Sequence, residues 1–118
     1  MKGWIDPASL RAAWWAERSL RAMRRQFRDR PPFEVSLAEP PPLPQRAFRG
    51  VRAVVHRRDL ACLERSLLYQ SWLAAQGERV DVVFGVTSPR EFSAHAWLDG
   101  YEADSAERYV EVARRPAP

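Results

Sequence analysis

One cysteine, one lysine and two histidines are all that this chain of 118 residues holds of those types, and each scarcity excludes something. A single cysteine, Cys62, cannot close an internal disulfide, so nothing demands an oxidising compartment and the chain reads as cytoplasmic. Cys62, His56 and His95 are too few and too scattered for a zinc spacing, so no metal is expected. No apolar run approaches the roughly 20 residues of a membrane-spanning helix. The start, Met1 to Arg11, lacks the uninterrupted apolar segment of a signal peptide. No internal repeat recurs. Lys2 being the only lysine, the net charge of +4 rests on arginine. Arginine grips carboxylate or phosphate with a planar fork, so a peptide or nucleic-acid partner stays open.

What is present suits one small folded domain, with 46% apolar residues and a length sufficient for a single core. Asp6-Pro7 reads as a helix start, a capping carboxylate followed by proline at the first helical position. The helix predicted from there runs to about Arg30. Leu10, Ala13, Trp14, Leu20, Met23 and Phe27 share one broad half of its wheel, and Arg11, Arg18, Arg21, Arg25 and Arg28 lie on a neighbouring arc. That basic stripe fits a solvated flank; it fits equally a docking surface for an acidic peptide, a partner protein or a membrane.

Pro31-Pro32 ends the helix, because a residue before proline is pushed out of the α region. Glu39 to Pro44 reads as a stiff, polyproline-like connector strapped over the domain. Residues 45–58 space Phe48, Val51, Val54 and Val55 as a short helix. Asp59 offers an N-cap for the next helix and would put Cys62 at its third position, where free amides and the helix dipole favour a thiolate. Leu63, Leu67, Leu68, Trp72 and Leu73 make that helix a buried, central one, stopped at Gln76-Gly77. Val80 to Val86 is a buried strand, followed by a turn at Thr87 to Arg90.

The strand Phe92 to Leu98 puts Ser93, His95 and Trp97 on one face. Asp99-Gly100 signals a hairpin, with Tyr101 to about Ala103 returning beside it and Tyr109 to Val112 as a last strand. The organisation expected is an amphipathic helix over 1–30, a proline-rich connector over 31–47, a core over 48–113 and a tail over 114–118, together one domain. Its fold class is α+β: a central cysteine-bearing helix on a small antiparallel sheet.

A thiolate that attacks a carbonyl needs a base to carry protons to the leaving amine, and a third group to orient that base. Cys62, His95 and a carboxylate beyond them occur in a usual order for those roles, and the Cys62 amide could donate to an oxyanion. A cysteine opening an apolar helix and a histidine inside a strand are also what a plain packed core contains. Pattern alone leaves both readings open.

The combination of Cys62-Leu63-Glu64-Arg65-Ser66-Leu67, the strand Val82 to Val86 and Phe92-Ser93-Ala94-His95-Ala96-Trp97-Leu98 resembles the stand-alone leader peptidases of lasso-peptide biosynthesis, which have a transglutaminase-like or papain-like core. The resemblance spans about Val51 to Glu111. It implies a cysteine peptidase without cofactor that cuts the leader from a ribosomally made precursor peptide. It also implies two partners: a separate leader-binding recognition-element protein, and the ATP-dependent cyclase that closes the lasso. It assigns Cys62 as nucleophile, His95 as general base and acid, and Asp104, followed by Ser105, as the orienting carboxylate. Asp104 follows His95 by nine positions, fewer than in the family's pattern, which implies a shortened hairpin or a substitute among Asp99, Glu102 and Glu111. Tyr101 and Tyr109 could line the cleft. Two other readings remain: a noncatalytic peptide-binding or scaffold subunit, and an arginine-rich nucleic-acid binder, which lacks a recognisable recognition helix.

Overall fold

Asp6 caps the first helix as its sequence predicts. Its Oδ1 accepts from the Ser9 backbone N–H at 2.8 Å, that bond holds the carboxyl below its usual range, and Pro7 opens α1, Pro7–Gln26. This is a computed structural model, and it describes residues 6–87 and 93–118. Contacts divide the chain into two units, one ending at Leu60 and one beginning at Ala61.

In the first unit α1 stops at Gln26 rather than near Arg30, because the Gln26 side chain turns to the connector. Its Nε2 donates to the Ser36 carbonyl at 2.7 Å, and its Oε1 accepts from the Ser36 N–H at 2.9 Å. Trp15 Nε1 donates to the Ala38 carbonyl at 2.9 Å, and Val35 and Pro40 are buried. The connector is therefore strapped along α1 by side-chain bonds to its backbone, as a segment poor in amide donors must be. A 3-10 turn, Gln45–Ala47, leads into α2, Phe48–Arg57. Val51, Val54 and Val55 are buried on α2, and that burial outweighs their β preference.

Gly50 permits the pairing of α2 with α1. A Cβ built there would lie 2.0 Å from the Ser9 carbonyl oxygen and 3.1 Å from the Ala13 nitrogen, so the helices meet backbone to backbone. Leu20 and Met23 of α1 are fully buried, each contributing about 1.5–3 kcal/mol.

Asp59 does not cap the following helix. It ends α2 in the left-handed region, φ 48°. The Asp59 N–H donates to the His56 carbonyl and the Leu60 N–H to the Val55 carbonyl, at 3.2 and 3.3 Å. This is the Schellman pattern, usually built on glycine.

In the second unit α3 runs Cys62–Ala75 with Ala61 as N-cap, so Cys62 is the first helical residue, not the third. Glu64 Oε1 reaches back to the Ala61 N–H at 3.3 Å, the half of a capping box that does not need a polar N-cap. Gly77, φ 91°, closes α3 as expected, with the Glu78 N–H bonded to the Leu73 carbonyl at 2.9 Å.

The sheet is antiparallel in the order β2-β1-β3, with β1 Val82–Val86, β2 Ala94–Leu98 and β3 Val110–Arg115. The fold is α+β, as its sequence predicts. Ser88 to Arg90 of the expected turn, and Phe92, lie outside the described residues. Asp99-Gly100 does form a turn, with the Leu98 carbonyl accepting from the Tyr101 N–H at 3.0 Å. The chain then enters a short helix, α4, Ala103–Arg108, in place of the expected returning strand. β3 extends past Val112 to Arg115 because both arginines are bonded: Arg114 to Asp81, Asp99 and Glu111, and Arg115 Nε to Gln70 Oε1 at 3.0 Å. Among the described residues no helix is long and apolar enough to cross a membrane.

Candidate active site

Residues four apart share a helix face, and on α3 Cys62, Ser66 and Gln70 form such a row. Ser66 Oγ donates to the Ala96 carbonyl of β2 at 3.3 Å. Gln70, 1% exposed, donates to the carbonyls of Val80 and Arg115 at 3.0 and 2.9 Å. The row thus spans from β2 to the ends of β1 and β3, and every buried polar bond it makes fixes where α3 lies on the sheet. Cys62 sits one turn before Ser66, and Ser66 is bonded to the residue after His95. That bond ties α3, one turn beyond Cys62, to the histidine-bearing strand. Ser66 and Gln70 are hidden in the sequence by the apolar character of the helix; their i, i+4 repetition with Cys62 is the available signal.

His95 lies on β2, opposite Gly85 of β1. Its ring stacks on Trp97 at 5.8 Å between centroids and 17° between planes, and leans on Tyr109 at 5.1 Å. Gly85 makes the room: a Cβ there would lie 2.8 Å from the Trp97 ring and 2.9 Å from Tyr109 Cβ. A glycine inside a strand marks such a close approach. Tyr109 therefore belongs to the wall of the site. Tyr101 instead bonds through its hydroxyl to Glu78 Oε2.

The four candidate carboxylates separate cleanly. Asp99 and Glu111 hold Arg114 at 2.8 Å each, and Asp81 joins them at 3.2 Å. These bonds push the Arg114 pKa further up, Glu111 first, and lower that of Glu111. Asp104 lies in the first turn of α4, exposed to solvent. Glu102 is the carboxylate that meets the imidazole: its Oε1 lies 3.1 Å from His95 Nε2 and also accepts from Ser105 Oγ at 2.9 Å.

Partial burial raises the Glu102 pKa, yet the bonds from His95 and Ser105 and the charges of His95 and Arg65 outweigh it, so the carboxyl sits below its usual range. The ionised form is the one this pocket favours. With Nε2 turned to Glu102, His95 keeps Nδ1 for a second proton partner. Ser105, buried, supports the carboxylate three residues before it rather than the aspartate beside it.

A helix that opens on cysteine, laid on an antiparallel sheet whose edge strand carries a carboxylate-bound histidine, is the layout used by thiol-dependent acyl-transfer folds. The chain belongs to the transglutaminase-like superfamily, whose family model matches residues 5–112; the superfamily includes cysteine peptidases. No curated protein and no solved structure matches the chain.

Proposed function

We propose that the protein is a cytoplasmic cysteine peptidase that removes the leader from a lasso-peptide precursor. Cys62 is its nucleophile, His95 its acid and base, and Glu102, rather than Asp104, the orienting carboxylate. The observation that carries this reading is the 3.1 Å approach of His95 Nε2 to Glu102, on the strand to which the Cys62 helix is bonded. In the acylation step the Cys62 sulfur bonds to the scissile carbonyl carbon, and the proton passed to His95 Nδ1 goes to the leaving amine as the C–N bond breaks. Water then attacks the thioester, giving its proton to His95, and the acid product leaves as the thiol is restored. Amides of the first turn of α3, which have no acceptor within the helix, would donate to the oxyanion.

The precursor is presented by a separate leader-binding protein, and the freed amine passes to an ATP-dependent cyclase. The test is a three-component incubation of the chain, the precursor and the leader-binding protein, followed by mass spectrometry. Cleavage at one bond, abolished in Cys62→Ala, is expected; cleavage that persists in Cys62→Ala would sink the reading. Retained activity in Asp104→Asn alongside loss in Glu102→Gln is expected to separate the two carboxylates.

A further inference from the structure

We propose that the groove between α1 and the proline-rich connector binds an acidic peptide segment that carries an apolar side chain. It lies within the first unit, apart from the chemistry assigned to Cys62, and does not rest on that assignment. The groove has a volume of about 790 Å³ and is lined by Arg11, Arg18, Arg21 and Arg25. With Trp14 these residues are spaced three or four apart, one straight stripe along the helix. None of the four arginines is ion-paired with a carboxylate among the described residues. Glu39 is the single acidic residue of the lining.

A further feature points to a peptide. Trp14 is 67% exposed and Leu10, four residues before it, 47% exposed. Together they form an apolar patch inside the basic stripe, where an aromatic ring and an arginine fork are the usual anchors of an interface.

Carboxylates repeated at helical spacing would each meet a guanidinium in the two-pronged geometry that arginine prefers. The opposite wall is formed by Ala38, Glu39 and Pro41, so it offers apolar surface and no cation. It suits an aliphatic or aromatic side chain better than a phosphodiester backbone, which would need cations on both sides and more than one exposed ring for stacking.

The test uses the full chain and a fluorescent peptide of about 14 residues, long enough to follow the stripe, with Glu at every third or fourth position around Leu and Phe. Its control carries Gln for Glu. Anisotropy titration is expected to show the Glu peptide binding at least about tenfold tighter than its control at low salt, with the gap closing as salt screens the charges. Arg18→Glu with Arg21→Glu should remove at least about a factor of ten. The proposal is overturned if the two peptides bind alike, or if the folded double arginine variant binds as the wild type does. It is also overturned if a single-stranded RNA oligomer or vesicles rich in anionic lipid capture the chain more tightly than the Glu peptide.

Discussion

Gly50 and Gly85 both stand where a side chain would collide, and the two units use the vacated space differently. At Gly50 the space is filled by backbone, the Ser9 carbonyl and the Ala13 nitrogen, so the glycine sets how closely two helices lie. At Gly85 it is filled by side chains, the Trp97 ring and Tyr109 Cβ, and these form the wall behind His95. A backbone atom on a packed helix has no alternative position, whereas the Trp97 ring can turn about its side-chain bonds, leaving only Tyr109 Cβ fixed by its backbone. The first glycine is thus a condition of the fold. The second shapes a site.

That contrast predicts the largest effect at Gly50. Gly50→Ala should cost at least about 3 kcal/mol, since the overlap can be relieved only by parting α1 from α2; urea unfolding measures it. A midpoint equal to that of the wild type would show that the helices are not held at this distance. Gly85→Ala should cost less, about 1–3 kcal/mol, and should disturb the imidazole more than the fold, visible as shifted His95 ring resonances. The comparison is sharpened by repair: Trp97→Phe, which removes the colliding ring atoms, should return part of the Gly85→Ala loss. No side-chain substitution should repair Gly50→Ala, where the colliding atom belongs to the backbone.

The same distinction explains how much is legible in the sequence. Periodicity locates α1, α2, α3, β1 and the His95 strand, because each is dictated by which residues must be buried. It puts His95 and Trp97 on one face and Cys62 at a helix start. It cannot tell an aspartate that begins a helix from one that ends the preceding helix, since short polar side chains favour both positions. Asp59 invites the wrong reading for that reason. Asp99-Gly100 announces a turn correctly, but turn chemistry is local and does not say whether a strand or a helix comes next. Glu102 is only one of four candidate carboxylates in the sequence; the fold sets it apart by its contact with His95, while Arg114 gathers Asp99 and Glu111. The Gly50 contact with Ser9 is long-range, and a glycine inside a helical pattern signals a close packing without naming its partner.

The wall at Gly85 positions His95 from one side and Glu102 from the other, so Glu102→Gln tests the second support. If the proposed triad holds, peptidase activity should fall by about 10⁴-fold, the loss when a triad's orienting carboxylate becomes an amide. The pH dependence has a definite sign. The Glu102 pKa is lower in the folded chain than in an unfolded one, so its contribution to stability is present above about pH 4.3 and drains away as pH falls through the lowered value. Wild type and Glu102→Gln should therefore differ in urea midpoint near neutral pH by a modest amount, as its partial exposure limits the pair. They should converge in acid. A gap that widens on acidification would mean that burial, not the His95 bond, governs this carboxyl.

The smallest effects belong to the two helix ends that share one hydrogen-bond pattern, one in each unit. Gly77 holds φ 91°, and a methyl group on its Cα would meet nothing within 4 Å, so Gly77→Ala carries only the backbone cost, about 1 kcal/mol. Asp59 already bears part of that cost at φ 48°, softened because aspartate tolerates the left-handed region better than most residues. Asp59→Gly should therefore stabilise the first unit by about 0.5 kcal/mol, the conformational relief being partly offset by the greater freedom of glycine in the unfolded chain. The two substitutions should move the melting temperature in opposite directions. If Asp59→Gly were destabilising, the Asp59 side chain would have to be contributing a bond that outweighs its backbone strain, and the two helix ends would not be equivalent after all.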